Sequence, residues 1–491
     1  MRQHSNFRRM PNWSFILMIS QNGAMSTDIG KLWAVGEYNS NNGWLYNPTN
    51  GALNNNNKYN AYQVRPLLDS EVYDNGSLQD YEIPLQEWYE VNRMCRRRKA
   101  MKPSCLIFQC HFVPQLTLVV HEVGNMEYVP REGICFIILV PRIREVLAAD
   151  FGDRLIQTWY FRELNWWLEN YHLNKDSYSC RVGKGGLRAV QQFNEYVYEV
   201  SEGYTRDCFV ATMDLQSFFM SIDTALATEL IETFIREKYH GQHKELLIYL
   251  TRIIYQSQPQ LHCVIKSRKS MWNGLAKSKS LLGKDDGIGI PIGNITSQMM
   301  ANFLTTFYLD YISSLGYKFV HYTDDTAFVF ADKQRFLDDV GRFEIFLREK
   351  LHLRLHPDKR YIQHYSKGVR MLGYKLRYDR TLPSDRIVHN LQWKVCCAIR
   401  KAENSLSYML LEKDHLVQVL NSYMGLLKWC NAYRLRRSVL ERVKQSRWGE
   451  VLDVDEKDWL KVSVKPKYTT LEYYKRKNKK RKREMLLACS I

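Results

Sequence analysis

The stretch 319–330 constrains the fold more than any other part of the chain, because two apolar, β-prone runs flank a pair of adjacent acids. It reads FVHYTDDTAFVF, which predicts a hairpin with Asp324 and Asp325 at its tip. Adjacent carboxylates repel each other, so two ionised groups at one turn need a countercharge. Magnesium is a common partner for such hard oxygen ligands. A solvated surface turn would contain the same two residues, so the pair alone leaves both interpretations open.

A third acid lies at the end of another apolar run. The stretch 209–215 reads FVATMDL, which predicts a strand that ends at Asp214. Three carboxylates on two neighbouring strands can hold two metal ions about 4 Å apart, an arrangement that promotes in-line attack at phosphorus. The sequence therefore predicts a site for two Mg²⁺ ions formed by Asp214, Asp324 and Asp325.

Charge and length narrow the class of protein. The chain has 491 residues and a formal net charge of +18, which predicts two to four domains and a polyanionic partner, nucleic acid before membrane. Eight basic residues and no acid lie in 475–483, and the rest of the chain still carries +10 once these charges are removed. The apolar run 15–19 is too short for a signal peptide, and no stretch reaches transmembrane length. The eleven cysteines form no CxxC pair, so we expect reduced thiols in a cytoplasmic protein with no membrane association.

The order of strand-like and helix-like segments predicts an α+β fold. The segments are a strand at 133–140, a helix from Asp153, a strand at 209–215, a helix ending at Lys238, a helix at 299–313, the hairpin at 319–330, a helix at 336–351 and a strand near 370–374. Strand, helix, two hairpin strands and helix is the split βαβ pattern. Beyond Leu382 the sequence becomes helical and basic. We expect each of its aromatics to be a core residue, while the set together with the charge suits a duplex-binding surface: Trp393, Tyr423, Trp429 and Tyr433.

Four motifs in order resemble those of reverse transcriptases. They are Asp214, Pro-Ile-Gly at 291–293, Tyr-Thr-Asp-Asp at 322–325 and Leu-Gly at 372–373, and the resemblance covers about residues 85–440. It implies a right-hand polymerase with fingers, a ferredoxin-like palm and a helical thumb. The implied domains are an asparagine-rich segment at 1–75, fingers at 76–205, a palm at 206–378, a helical thumb at 379–470 and a basic tail at 471–491.

Within this family, the loop 291–298 resembles the enzymes of diversity-generating retroelements. It reads PIGNITSQ, with Ile292 where most relatives have glutamine and Gln298 where group II intron enzymes usually have proline. The stretch 421–428 also resembles the thumb of that branch. The implied activity is RNA-directed DNA synthesis that copies a template-repeat RNA into cDNA with errors at adenines. The implied partners are template RNA, primer and cDNA, dNTPs and a helical accessory protein.

The resemblance also implies roles for particular residues. Asp214, Asp324 and Asp325 would be metal ligands, with the Leu215 carbonyl as a fourth oxygen, and Lys359 would protonate the leaving pyrophosphate. A solvated lysine after a turn is an equally simple interpretation of Lys359. The remaining assignments are Arg144 at the incoming triphosphate, Phe219 as a gate against the ribose 2′-hydroxyl, Ile292 and Gln298 beside the nucleotide, Lys184 and Arg188 at the template, and Gly373 in the primer grip.

The N-terminal segment 1–75 differs in composition from the rest. Ten of the 24 residues in 37–60 are asparagine, a composition typical of low-complexity or loop segments. The stretch 33–66 resembles the end of the C-type-lectin-like variable proteins that these retroelements diversify, so the reading frame here would run through the template repeat, whose adenine-rich codons encode asparagine. A genuine lectin-like appendage is the alternative.

Two other functions compete with the first. One is a reverse transcriptase of another bacterial lineage, of the retron or phage-defence type. The other is a non-catalytic RNA-binding protein built on a decayed palm, against which the presence of all three acids argues. A second, adenine-substituted copy of the repeat near the gene would favour the diversity-generating retroelement.

Overall fold

The computed structural model describes residues 83–469, except 98, 141, 285 and 404, together with four short strands before them. These strands form an antiparallel sheet in chain order: β1 (Phe15–Ile16), β2 (Leu32–Glu37), β3 (Asn42–Asn47) and β4 (Ala52–Asn57). The run 54–57, predicted as loop, thus lies in a strand, where backbone pairing needs no apolar side chain. The rest of segment 1–75 and the basic tail 471–491 lie outside the described residues.

The chain divides into two compact units, Met1–Arg93 with Val113–Glu127, and Met94–Phe112 with Tyr128–Ile491. Three helices lie near the points where the chain passes between units: α1 (Leu85–Arg96), α2 (Pro103–Cys110) and α3 (Phe112–Gly124). Among the described residues, no single helix is long and apolar enough to cross a membrane, and α2 and α3 meet that test only when counted as one bent span.

Two strands of a three-stranded sheet and two helices begin the longer part of the second unit, Tyr128–Ile491. They are β5 (Gly133–Ile138), β6 (Arg144–Ala148), α4 (Phe151–Tyr171) and α5 (Gly186–Val200). β5 pairs antiparallel with β6 and parallel with a later strand. Asp150 caps α4 by accepting a hydrogen bond from the Gly152 N–H at 2.8 Å.

A four-stranded antiparallel sheet forms the centre of this unit. Its part of the chain contains β7 (Phe209–Asp214), α6 (Thr224–Lys238), α7 (Lys244–Gln256), β8 (Cys263–Ile265), α8 (Ile295–Ser314), β9 (Lys318–Tyr322), β10 (Asp325–Phe330), α9 (Lys333–Leu351) and β11 (Tyr361–His364). β8 is the parallel neighbour of β5, and the central sheet has the order β11-β7-β10-β9. The chain thus gives the βαββαβ order expected of a split βαβ unit, and the hairpin β9–β10 is confirmed. The fourth strand, β11, was not predicted.

A small antiparallel sheet follows the central one. Its strands are β12 (Val369–Met371), β13 (Tyr374–Leu376) and β14 (Thr381–Pro383). The prediction of one strand across 370–374 was wrong, because Leu372 and Gly373 have φ of 48° and 91° and turn the chain between β12 and β13. Positive φ at two successive residues is a turn conformation that an extended strand cannot contain.

The C-terminal part is helical, as predicted. It contains α10 (Asp385–Glu403), α11 (Leu406–Leu427), α12 (Tyr433–Gln445), α13 (Trp448–Val451), β15 (Leu452–Val454) and β16 (Val462–Val464). The expectation of core aromatics was wrong for three residues, since Trp393, Trp429 and Tyr433 are 67%, 48% and 50% exposed. Lys428 and Arg436 lie over the Trp429 and Tyr433 rings at 5.5 and 5.8 Å. Aromatic rings can stay at the surface when neighbouring cations contact their faces.

Candidate active site

The sheet places the three predicted acids side by side. In the antiparallel ladder between β7 and β10, Asp214 is the register partner of Asp325. Asp324 lies in the turn just before β10, after Thr323, whose φ is 64°. The Leu215 N–H donates to the Asp324 carbonyl oxygen at 3.0 Å, so the end of β7 and the hairpin turn are joined through the backbone. The acids therefore converge because strand pairing fixes both chain segments.

His321 supports this turn from inside the protein. It is fully buried, its Nε2 lies 3.0 Å from the Thr323 carbonyl oxygen, and its Nδ1 lies 2.9 Å from the Thr326 hydroxyl. A carbonyl can only accept, so we assign the proton to Nε2 and leave Nδ1 to accept from Thr326. Burial lowers the pKa of His321 to about 4, so the ring is neutral at physiological pH.

The segment after α9 closes the other side of Asp214. The His356 N–H donates to the Asp214 carbonyl oxygen at 2.7 Å, and Leu355 bridges to Leu215. This pairing brings Lys359 to the site, where its ammonium group forms an ion pair with the Asp214 carboxylate. Lys359 is 42% exposed, so it reaches the acids from the solvent side of the site.

The surroundings of the acids disfavour the ionised forms of Asp324 and Asp325. Loss of hydration, followed by the charge of Asp214, raises the pKa of Asp324 above its ordinary value. Loss of hydration, followed by the charges of Asp324 and Asp214, raises the pKa of Asp325 to about 7. Lys359 opposes both shifts but does not cancel them. A further positive charge would relieve the repulsion that remains.

The donor chemistry of the site suits a hard cation, since all three side chains are carboxylates. The side chains nevertheless do not form a complete metal group: within the described residues, no cluster of three or more His, Cys, Asp or Glu is placed to hold a metal ion. Lys359 takes up part of the ligand capacity of Asp214. The three carboxylates thus suit magnesium in donor chemistry and charge, and Asp214 and Asp325 are partners across the ladder, but the side chains as placed are not a complete ligand group.

A cleft of about 420 Å³ opens above the acids. Eight of the twelve predicted site residues line it: Arg144, Asp214, Leu215, Phe219, Ile292, Asp324, Asp325 and Lys359. Sequence reasoning missed others in the lining, above all the cations Arg142 and Lys279. Arg142 could have been found from its place two residues before Arg144. Lys279 lies far from any motif, and no sequence signal connects it to the acids.

Backbone hydrogen bonds fix the side of the cleft that Phe219 and Ile292 line. The Ile290 N–H donates to the Phe219 carbonyl oxygen at 2.8 Å, and the Leu147 N–H donates to the Ile292 carbonyl oxygen at 3.1 Å. Gly293 has φ of 131°, and a Cβ there would lie 2.9 Å from the Val146 Cγ1 atom. Only glycine fits where the loop passes so close to β6. Phe219 and Ile292 are therefore held on one wall.

Four predicted site residues do not line the cleft. Gln298 is exposed in the first turn of α8. Lys184 donates to the Lys175 carbonyl oxygen and lies 4.8 Å from the centre of the Tyr178 ring, and Arg188 pairs with Glu195 at 2.9 Å. Gly373 lies in the turn between β12 and β13 and does not line the cleft, although the preceding residue, Leu372, does. The structure thus gathers the acids, Leu215, Lys359, Arg144, Phe219 and Ile292 in one cleft but not these four.

No protein-family model matches the sequence, and no curated protein matches it. Solved structures give similarities to telomerases. Apo telomerase from Candida tropicalis has 9% identity and a TM-score of 0.41 over 65% of this chain and 60% of that one. Telomerase from Candida albicans in complex with a TWJ fragment of telomeric RNA has 10% identity and a TM-score of 0.37 over 63% of this chain and 55% of that one. The chain thus spans little more than half the length of these proteins, and TM-scores below 0.5 assign no activity to it.

Proposed function

We propose that this chain is an RNA-directed DNA polymerase whose active site is the cleft above β7 and β10. The observation that carries the proposal is the register pair of Asp214 and Asp325, with Asp324 beside it, in a cleft that also exposes Arg142, Arg144 and Lys279. The same cleft thus contains carboxylates that need a positive counterion and basic side chains that need an anion. A nucleoside triphosphate with magnesium supplies both.

Each residue then has a chemical task. Asp214, Asp324 and Asp325 would hold Mg²⁺ ions, which would supply charge stabilisation and an activated 3′-hydroxyl for nucleotidyl transfer. Arg144, which is exposed at the start of β6 and whose charge acts to lower the pKa of Asp324, would bind phosphate oxygens of the incoming dNTP. Phe219 would exclude a ribose 2′-hydroxyl by its bulk. Lys359, whose ammonium group already lies at Asp214, would donate a proton to the leaving pyrophosphate.

The proposed biological form is a diversity-generating retroelement enzyme. It would copy a template-repeat RNA into cDNA with errors opposite adenine, aided by a helical accessory protein. Two features support this form, the isoleucine at 292 in the cleft wall and the asparagine-rich segment 1–75. Isoleucine has no hydrogen-bonding group with which to restrain the nascent base pair. A retron or phage-defence reverse transcriptase would share the cleft but has no need of either feature.

Two observations favour a non-catalytic RNA-binding protein as a second candidate. The described acids do not form a complete metal group, and Lys359 pairs with Asp214. In that case the basic surface would bind RNA and the cleft would be inert. The two candidates differ in a single measurable property, which is nucleotide incorporation.

The test is extension of a DNA primer on an RNA template by the purified full chain with magnesium and dNTPs. We expect cDNA, little incorporation of ribonucleotides, and misincorporation concentrated opposite template adenine. Accurate cDNA would support the polymerase and overturn the diversity-generating form. Tight RNA binding without extension under any divalent metal would overturn the polymerase and favour the second candidate.

A further inference from the structure

Glu145 is a charged side chain in the core of the second unit. It follows Arg144 on β6 and is completely buried. Its carboxylate accepts hydrogen bonds from the Trp272 indole N–H at 2.7 Å, the Ser280 hydroxyl at 2.6 Å and the Leu281 backbone N–H at 2.6 Å. A buried carboxylate is costly unless it is well hydrogen-bonded, so a site that satisfies it with three donors strongly favours this one arrangement.

All three donors come from one irregular stretch. The segment 269–281, here called the docked segment, lies between β8 and α8 and contains two short 3₁₀ turns, Lys269–Gly274 and Lys277–Lys279. These short turns bury no residues of their own, so their position depends on contacts with the rest of the unit. Glu145 supplies such contacts at Trp272 and again at Ser280–Leu281.

The docked segment also packs behind the wall of the cleft that Phe219 and Ile292 form. Leu281 is fully buried in a cluster with Cys135, Leu147 and Met220, and Trp272 contacts that cluster together with Phe219 and Ile292. A Cβ at Gly289 would lie 2.7 Å from the Leu281 Cδ1 atom, so the loop before Ile292 closely approaches the segment. Movement of the docked segment would therefore disturb the support of Phe219 and Ile292.

Lys279 is the charged residue that the docked segment contributes to the cleft. It immediately precedes Ser280, one of the Glu145 donors, and its ammonium group has no hydrogen-bond or ion-pair partner in the described part of the chain. Lys277, in the same 3₁₀ turn, is also exposed but does not line the cleft. The two lysines thus differ in where they lie relative to the cleft, although they share one turn.

We infer that Lys279 binds the triphosphate of the incoming nucleotide and that Glu145 is the positioning residue that places it there. The inference rests on the proposed function, because it names a further contact for the same substrate. Arg142, Arg144 and Lys279 line the cleft from two separate parts of the chain, and Glu145 joins those parts. The buried carboxylate of Glu145 thus fixes the positions of both β6, which carries Arg144, and the 3₁₀ turn that carries Lys279.

The test compares Lys279→Ala with Lys277→Ala and Lys279→Arg. Two quantities are measured, the KM and kcat for dNTP in primer extension, and the Kd of dATP for the unprimed protein by equilibrium binding. Loss of a charge-assisted contact to phosphate should raise KM and Kd about tenfold in Lys279→Ala, with recovery in Lys279→Arg and no change in Lys277→Ala. Equal values in the two alanine variants would overturn the inference.

The positioning role of Glu145 is tested through Ser280→Ala, which removes one donor and leaves the carboxylate in place. We expect a severalfold rise in KM and Kd with kcat less affected, and no further rise when Ser280→Ala is added to Lys279→Ala. Additive effects would show that Glu145 does not act through Lys279. Glu145→Gln serves as a stronger perturbation if it folds, and Ser280→Ala decides the matter if it does not.

The two readouts separate the inference from the proposed function. A parent protein that binds dATP through Lys279 without extending a primer would refute the polymerase and keep the triphosphate contact. A parent that extends primers with Lys279→Ala unaltered would keep the polymerase and refute the contact.

Discussion

Acid should weaken the hairpin that carries Asp324 and Asp325 through one residue, His321. The ordinary histidine pKa is 6.5, and burial lowers that of His321 to about 4. Between about pH 4 and pH 6.5, His321 binds a proton in the unfolded chain but not in the folded chain. The free energy of unfolding therefore rises with pH across this window. At 1.36 kcal/mol for each pKa unit, the contribution lost between pH 6.5 and pH 4 is about 3 kcal/mol.

The perturbation is His321→Gln, because a glutamine amide can replace one of the two hydrogen bonds to Thr323 and Thr326 but does not titrate. At pH 7.5 we expect the variant to be less stable than the parent by about 1–2 kcal/mol, from imperfect hydrogen bonding and packing. As the pH falls to 4 the parent should lose its advantage, because only the parent must keep a histidine neutral.

The assay is denaturant unfolding of both proteins from pH 7.5 to pH 4, analysed as the difference between them so that other titrating groups cancel. His389→Gln, at an exposed histidine of α10, is the matched control and should run parallel to the parent. A stability difference between His321→Gln and parent that stays constant across the range would refute the reasoning that a neutral His321 supports the turn that carries Asp324.

Three further outcomes are expected. Ile292→Gln should lower misincorporation opposite template adenine partially, because one hydrogen bond of about 1 kcal/mol changes discrimination only severalfold; sequencing of cDNA from one RNA template tests this, and identical error spectra would remove Ile292 from the mechanism. A chain that starts near Tyr81 should extend primers as well as the full chain, and a loss of more than about tenfold, roughly 1.4 kcal/mol in the barrier, would show that the N-terminal segment belongs to the working enzyme. Deletion of 475–483 should weaken RNA binding and flatten its salt dependence, since each phosphate contact adds to the counterion-release slope; an unchanged slope would mean that the tail does not contact RNA.

Local patterns were sufficient to predict the acids and their hairpin. Apolar runs around Asp324–Asp325 and before Asp214 have the composition of strands, and two such strands in one sheet bring their polar ends together. Lys359 was found by resemblance alone, and the structure explains its place by the pairing of Leu355 with Leu215. Apolar patterning and motif resemblance were thus enough to locate the acids and Lys359 in the cleft.

Long-range contacts could not be predicted in the same way. Lys279 lines the cleft from a segment that is joined to β6 by Glu145, which lies far from it in sequence and accepts hydrogen bonds from Ser280 and Leu281. No periodicity connects a strand glutamate with an irregular segment. The same limit explains β11, a strand of four residues that becomes recognisable only when it pairs with β7. The exposure of Trp393 likewise depends on packing, which composition does not determine.

If the acids at the ends of β7 and β10 catalyse RNA-templated DNA synthesis, the activity must depend on Asp325, and one comparison tests this most directly. Magnesium-dependent primer extension on RNA is measured for the parent, Asp325→Asn and Asp338→Asn, the last a matched change at an exposed acid of α9. We predict normal extension by Asp338→Asn and none by Asp325→Asn, with RNA binding and circular dichroism unchanged, since loss of a metal-binding carboxylate removes several kcal/mol of charge stabilisation. The same loss is expected for Asp214→Asn and Asp324→Asn. Extension by Asp325→Asn at close to the parental rate, with magnesium as the sole divalent metal, would contradict the claim.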